Sequence, residues 1–257
     1  MPADDLALLA DAARAAGEIA KRHFGNGPEC WTKPEDGSPV TEADLEIDEM
    51  LRHELLAARP DYGWLSEETA DRPDRLSRQR VFIVDPIDGT RAFVAGETGF
   101  SHALAVIEDG QPIAAAVALP MRDEIFLAAK GKGATLNEEP ISPSEKEELD
   151  GATVLGAKAS FAPKLWRRGL PEVTPAFRSS LAWRLSLVAQ GRFDAMITLR
   201  KAWEWDIAAG ALLVEEAGGV ATDRKGRSLR FNSAAPRLDG VIAGGRRVQG
   251  ALLDRLA

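Results

Sequence analysis

Val81-Phe82-Ile83-Val84-Asp85-Pro86-Ile87-Asp88-Gly89-Thr90-Arg91-Ala92-Phe93 is the stretch on which the reading of this chain turns. The apolar run at its head, bounded by turn residues, has the pattern of a buried strand. Pro86 fixes one backbone angle and Gly89 permits a positive one, so the strand ends in a turn that holds Asp85 and Asp88 close together. Buried carboxylates repel each other and are costly without a compensating cation. Oxygen ligands of this kind suit hard divalent cations, Mg²⁺ above all. Gly89 and Thr90 stand where a helix begins, which turns their backbone N–H groups toward an anion such as phosphate. A carboxylate pair beside a phosphate cradle is the layout of a metal-assisted phosphatase. Asp-x-x-Asp-Gly is equally a turn composition, with Asp capping and Gly closing. The rest of the chain has to decide between the two.

Composition narrows the field. With 257 residues, 45% of them hydrophobic and 28% charged, the chain has the makeup of a globular protein of one large domain or two ordinary ones. A net charge of −8 argues against a binder of nucleic-acid polymers. An acidic enzyme still binds an anionic substrate where metal ions supply local positive charge. The single Cys30 excludes an internal disulfide and fits a reducing compartment. Met1 to Asp5 lacks the basic and apolar regions of a signal peptide, and no apolar run is long enough for a membrane span. A cytoplasmic protein with no membrane partner is expected.

Upstream of the central stretch, residues 4 to 24 have helical spacing, with Leu6, Leu9, Ala13, Ala16, Ala20 and Phe24 on one face. Residues 25 to 40 are rich in Gly and Pro and read as loop; Lys33 lies inside, either a solvated charge or a group reaching the acidic site. Thr41 and Asp44 have capping-box spacing at the head of a second helix, which by itself accounts for an acid at 44. Tyr62-Gly63-Trp64-Leu65 leads into Ser66-Glu67-Glu68-Thr69, a strand end followed by carboxylates. Adjacent side chains in extended chain point opposite ways, so at most one of Glu67 and Glu68 should face a given site.

Downstream, residues 101 to 137 read as an antiparallel meander with a hairpin turn at Asp109-Gly110. The polar segment 142 to 151 is the expected boundary between an N-terminal α+β domain, 1–150, and a C-terminal α/β domain, 151–257. In the second half, a short helix is expected over 160 to 168, a helix over 180 to 190 stopped by Gly191, and a strand over 193 to 199. Trp203-Glu204-Trp205-Asp206 opens another helix. Its small residues Ala208, Ala209 and Gly210 would let an element or a ligand approach closely, and Trp205 should be buried.

Taken together, Thr41-x-x-Asp44, Ser66-Glu67-Glu68, Asp85-Pro86-Ile87-Asp88-Gly89-Thr90 and Trp205-Asp206-Ile207-Ala208-Ala209-Gly210 resemble the signatures of the inositol monophosphatase superfamily of Mg²⁺-dependent, Li⁺-sensitive phosphomonoesterases. The resemblance implies a layered α/β/α/β/α sandwich and two or three Mg²⁺ ions. It implies Glu67, Asp85, Asp88, Asp206 and the carbonyl of Ile87 as metal ligands, with Glu67 also catalytic. Asp44 and Thr90 would orient or activate the attacking water. The N–H groups of Gly89 and Thr90 would hold the phosphate, and Lys33 would lie near the metal site. Family members that act on inositol monophosphates usually read Gly-Glu-Glu and Asp-Gly-Thr-Thr-Asn-Phe. Ser66, Arg91 and Ser179-Ser180-Leu181 look more like the 3'(2'),5'-bisphosphate nucleotidase branch, in which Arg91, Arg184 and Arg200 would pair with a second phosphate. The expected substrate is therefore a small phosphate ester, 3'-phosphoadenosine 5'-phosphate first and inositol 1-phosphate as the alternative, acted on by a monomer or homodimer. The alternative of another class is a non-catalytic binding protein that retains the fold.

Overall fold

The computed structural model describes residues 2–34, 37–167 and 169–256. Apolar positions that alternate along strands and recur every three or four residues along helices sort themselves into five layers. The outermost layer holds α1 (Pro2–His23) and α2 (Glu42–Ala58). Beneath it lies a seven-stranded sheet in the order Gly63–Ser66, Arg80–Asp88, Ser101–Glu108, Gln111–Leu119, Glu124–Ala129, Ala134–Leu136, Glu139–Pro140. Its first pair is parallel and every later pair antiparallel. The short helix α3 (Thr90–Val94) follows the second strand. The middle layer is α4 (Leu181–Ala189) and α5 (Glu204–Glu216). A second sheet of five strands, built from 153–156, 174–176, 195–198, 220–222 and 241–244, comes next. The last layer is α6 (Arg246–Arg255).

The period of two in the strands builds these layers. Phe82 and Val84 pack outward with Leu9, Ile47 and Leu51 of α1 and α2, whereas Val81 and Ile83 pack inward with Leu185 and Leu212 of α4 and α5. The second sheet repeats the device, with Leu155, Met196 and Ala243 toward α4 and α5 and Val154, Ile197 and Ile242 toward Val248 and Leu252 of α6. This is the mixed α/β sandwich expected from the sequence. Trp205 is buried as expected. The small residues in α5 serve an element, not a ligand: a Cβ at Gly210 would lie 2.5 Å from Leu185 Cβ, so glycine there sets the approach of α4.

Two local expectations need correction. The loop over 25 to 40 contains a two-stranded antiparallel hairpin, Cys30–Thr32 with Pro39–Thr41, too short to show an apolar period. The helix expected over 160 to 168 is two 3-10 turns, Lys158–Phe161 and Pro163–Leu165; Pro163 denies the backbone donor that a continuous helix needs, and Arg168 lies outside the described residues. No helix among the described residues is long and apolar enough to cross a membrane.

Candidate active site

The Arg80–Asp88 strand breaks register with its neighbour between Asp85 and Asp88, so the chain bulges where Pro86 cannot join the ladder. His102, fully buried on the adjacent strand, pairs its ring Nδ1 with the carbonyl of Pro86 at 2.5 Å. Because a carbonyl only accepts, Nδ1 carries the proton, and burial pushes the imidazole down to about 4, keeping it neutral. Gly89 then adopts φ +102°, and a Cβ there would press on the Gly99 carbonyl at 3.3 Å, so glycine is required on two counts. The turn leads directly into α3.

These elements open onto a cavity of about 630 Å³ whose lining includes Glu67, Asp85, Ile87, Asp88, Gly89 and Thr90, with Arg91, Arg200, Trp203 and Asp206. Carboxylate oxygens of Glu67, Asp85 and Asp206 all lie within 4.8 Å of one another, although the residues are spread over three separate segments. Asp85 is buried and neither of its oxygens has a hydrogen-bond partner among the described residues. Burial, and then the charges of Glu67, Asp88 and Asp206, raise its pKa well above the usual carboxylate range. Asp206 is raised likewise, by burial and by Asp88 and Glu67. Asp88 is better provided for: its Oδ2 accepts from Ser180 Oγ at 2.7 Å and from the Ala182 N–H at 2.6 Å, at the N-terminus of α4. Burial still lifts it to about 6, those two hydrogen bonds opposing.

The capping box predicted at Thr41 and Asp44 is present, and it does more than cap. Asp44 Oδ2 accepts from the Thr41 backbone and hydroxyl, while Oδ1 lies 3.3 Å from Thr90 Oγ1. The Thr90 hydroxyl is also 3.0 Å from the Ile87 carbonyl and has one proton to divide between them. Burial raises Asp44 to about 6 against the pull of Thr41.

Glu67 and Glu68 depart from the expectation that they face opposite ways. The chain bends after Ser66, and Lys33 Nζ reaches Glu67 Oε1 at 2.7 Å and Glu68 Oε1 at 2.8 Å. Glu67 lines the cavity and Glu68 does not, so the division of labour holds for the cavity but not for the lysine. Lys33 is mostly buried, and the two glutamates raise its pKa against the effect of that burial.

Arg91 and Arg200 are exposed on the cavity wall. Arg184 is not a wall residue: its Nε donates to the Arg178 carbonyl at 2.6 Å, and the guanidinium lies over the Phe177 ring, 4.5 Å from its centre. It holds the segment entering α4 and is not placed for a second phosphate. Sequence reasoning missed His102, and it missed Ser180 as the partner of Asp88. A serine just before an apolar helical run was the available signal, and it reads first as an N-cap, which Ser180 also is. His102 gave no signal, because a histidine inside a strand reads as a core residue.

An α/β sandwich with an all-oxygen acidic cluster and a helix start in one cavity is an arrangement suited to phosphoric monoester hydrolysis. The model of the inositol monophosphatase family matches residues 3–256. An inositol-1-monophosphatase of Mesorhizobium japonicum is 32% identical, with 96% of this chain and 94% of that protein covered. The Nus factor SuhB of Xylella fastidiosa is 31% identical over 95% of this chain and 91% of its own length. The solved Thermotoga maritima IMPase superposes with a TM-score of 0.84 at 30% identity, covering 99% of this chain and 96% of the other. The chain belongs to the inositol monophosphatase family.

Proposed function

We propose that the protein hydrolyses the phosphomonoester of a small polyol, inositol 1-phosphate being the first candidate, with Mg²⁺ as cofactor. The observation that carries this reading is the buried Asp85 carboxylate, bare of donors and facing Glu67 and Asp206. An unpaired buried carboxylate costs several kcal/mol, so such a group is a site for a cation. Glu67, Asp85, Asp88, Asp206 and the Ile87 carbonyl would hold two or three ions, an oxygen-only donor set that fits Mg²⁺. Ions held there would supply the positive charge that offsets the phosphoryl oxygens and the leaving alkoxide and would lower the pKa of water.

The chain's own groups do the rest. Thr90 donates its hydroxyl hydrogen bond to Asp44 or to the Ile87 carbonyl, leaving a lone pair of its oxygen free to accept from and orient the attacking water. The N–H groups of Gly89 and Thr90 take phosphate oxygens. Lys33 balances Glu67 and Glu68. Relatives named for inositol 1-phosphate favour that substrate. One observation favours 3'-phosphoadenosine 5'-phosphate instead: Arg91 and Arg200 both stand on the cavity wall, where arginine suits a second phosphate. Location in the cytoplasm, a monomeric or homodimeric state and sensitivity to Li⁺ go with the proposal.

The test is phosphate release from both esters, compared by kcat/KM with and without Mg²⁺. Mg²⁺-dependent turnover with preference for inositol 1-phosphate is expected. Preference for the nucleotide selects the second reading. No release from a broad panel of phosphate esters would leave a binding protein that retains the fold.

A further inference from the structure

Ser66 stands where the inositol monophosphatase pattern usually has glycine, and neither the sheet nor the proposed chemistry uses its hydroxyl. Its partner is Asp48, buried on α2 one turn beyond Asp44. Ser66 Oγ donates to Asp48 Oδ1 at 2.5 Å, and Thr69 Oγ1 donates to Asp48 Oδ2. Each hydroxyl also accepts: Ser66 Oγ from the Glu68 N–H at 3.4 Å, and Thr69 Oγ1 from Trp64 Nε1 at 3.2 Å. Asp48 does not line the acidic cavity.

Both ends of the Ser66–Thr69 turn are thus fastened to α2, and the residues between them are Glu67 and Glu68. The turn needs fastening. It carries two acids that repel each other and that Lys33 bridges from one side, and beyond the ladder pair of Ser66 with Val84 the turn is tied to the central strand by the Glu67 N–H to the Val84 carbonyl at 3.3 Å. A carboxylate suits the task because both of its oxygens accept, one for each hydroxyl. Asparagine would turn one arm round, Nδ2 donating to a hydroxyl whose own proton then loses its acceptor, so it weakens that arm without cutting it.

We infer that Asp48 is a positioning residue, a two-armed clamp that holds Glu67 within reach of Asp85 and Asp206. This rests on the reading of the acidic cluster as a divalent-cation site. Helix α2 then serves the site twice: Asp44 ties it to Thr90, and four residues on Asp48 ties it to Glu67.

The test is Mn²⁺ binding followed by electron paramagnetic resonance, with hydrogen exchange at the amides of residues 67–69, in the wild type, Asp48→Ala, Asp48→Asn and Ser66→Gly. Outer partners of metal ligands are typically worth about 10–100-fold in affinity. Asp48→Ala should weaken Mn²⁺ binding by about that factor and speed exchange in the turn, while turnover recovers at saturating Mg²⁺. Ser66→Gly, which cuts one arm, should show a smaller loss of the same kind. Wild-type Mn²⁺ affinity and exchange in a folded Asp48→Ala protein would overturn the inference. If that variant does not fold, Ser66→Gly decides, and wild-type Mn²⁺ affinity and exchange there overturn it equally. A wild-type protein that binds no Mn²⁺ defeats the cation reading itself, a result separable from failure of the clamp because the exchange of the turn is read independently.

Discussion

Glu204 and Asp206 sit two residues apart in the first turn of α5, and their surroundings are opposite. Residues two apart on a helix do not share a face. Glu204 is fully buried and accepts from the N–H groups of Asn232 and Ser233 and from the Ser233 hydroxyl, at 2.6, 3.1 and 2.5 Å. Asp206 looks the other way, onto Asp85 and Glu67. One acid is built into the protein by its donors, and the other faces two more acids across the cavity. Burial and charge do not separate the two roles; the supply of donors does.

The largest effect that could break this contrast is at the donor-poor end. Asp85→Asn should lower turnover by on the order of 10³-fold, the scale of losing a major electrostatic contact in an active site. The same change should raise the melting temperature measured without Mg²⁺, since a neutral amide removes repulsion among Asp85, Asp88 and Asp206. Glu204→Gln should do the reverse, costing about 1–2 kcal/mol in urea unfolding while leaving the turnover of folded molecules near normal. Should Asp85→Asn destabilise the metal-free protein and keep its activity, the two acids have been assigned the wrong way round.

Titration sharpens the same contrast at the next scale down. Burial holds Asp88 and Asp44 near 6 and, helped by Glu67, Glu68 near 8, all above their ordinary values. A carboxyl whose pKa is higher folded than unfolded binds more protons in the native state, so stability falls as pH rises from the unfolded value through the folded one. The acids pulled down by partners, Glu46, Asp71, Asp194 and Asp223, stabilise in full above the ordinary carboxylate range and lose that contribution only as pH falls below it, so they add no slope above it. His102, held near 4 by burial, binds fewer protons folded than unfolded and offsets part of this below the ordinary histidine value, so the metal-free protein should lose stability on balance between pH of about 4 and about 8. Saturating Mg²⁺ should flatten that slope by replacing the protons. A metal-free stability that rises over this interval would mean that the cluster is relieved by groups of the protein.

What the sequence disclosed follows the same division. The strand, its acidic turn and Gly89 were legible because apolar runs, Pro and Gly act locally, and Asp206 became legible once a family pattern joined distant segments. Asp44 was legible as a cap but not as a partner of Thr90, since the second contact spans 46 positions and leaves no local trace. Ser180 has the same ambiguity: N-cap by spacing, donor to Asp88 only after folding. Arg184 stayed open in the sequence, as a partner for a second phosphate or a surface charge, because charge alone does not reveal that a guanidinium donates to a backbone carbonyl. Glu204 passed without notice, although its partners make it the more firmly held of the two acids in that turn.

The smallest expected effect concerns the arginines, which repeat the contrast in the opposite charge. Arg184 is buried and used by the fold; Arg200 is exposed on the cavity wall. An exposed charge pair contributes about 0.2–1 kcal/mol, so Arg200→Ala should raise KM for 3'-phosphoadenosine 5'-phosphate by about two- to fivefold and leave kcat unchanged. Inositol 1-phosphate has no second phosphate, and its KM should move by less than about twofold. The ratio of the two shifts is the quantity to measure, because a general loosening of the wall would raise both KM values together. Equal shifts would place Arg200 on the phosphate common to the two esters and remove the remaining structural support for a nucleotide substrate. Arg184→Ala should instead lower stability, with both KM values moving in step, because it frees the segment around Arg178 and Phe177 on which one side of the cavity rests.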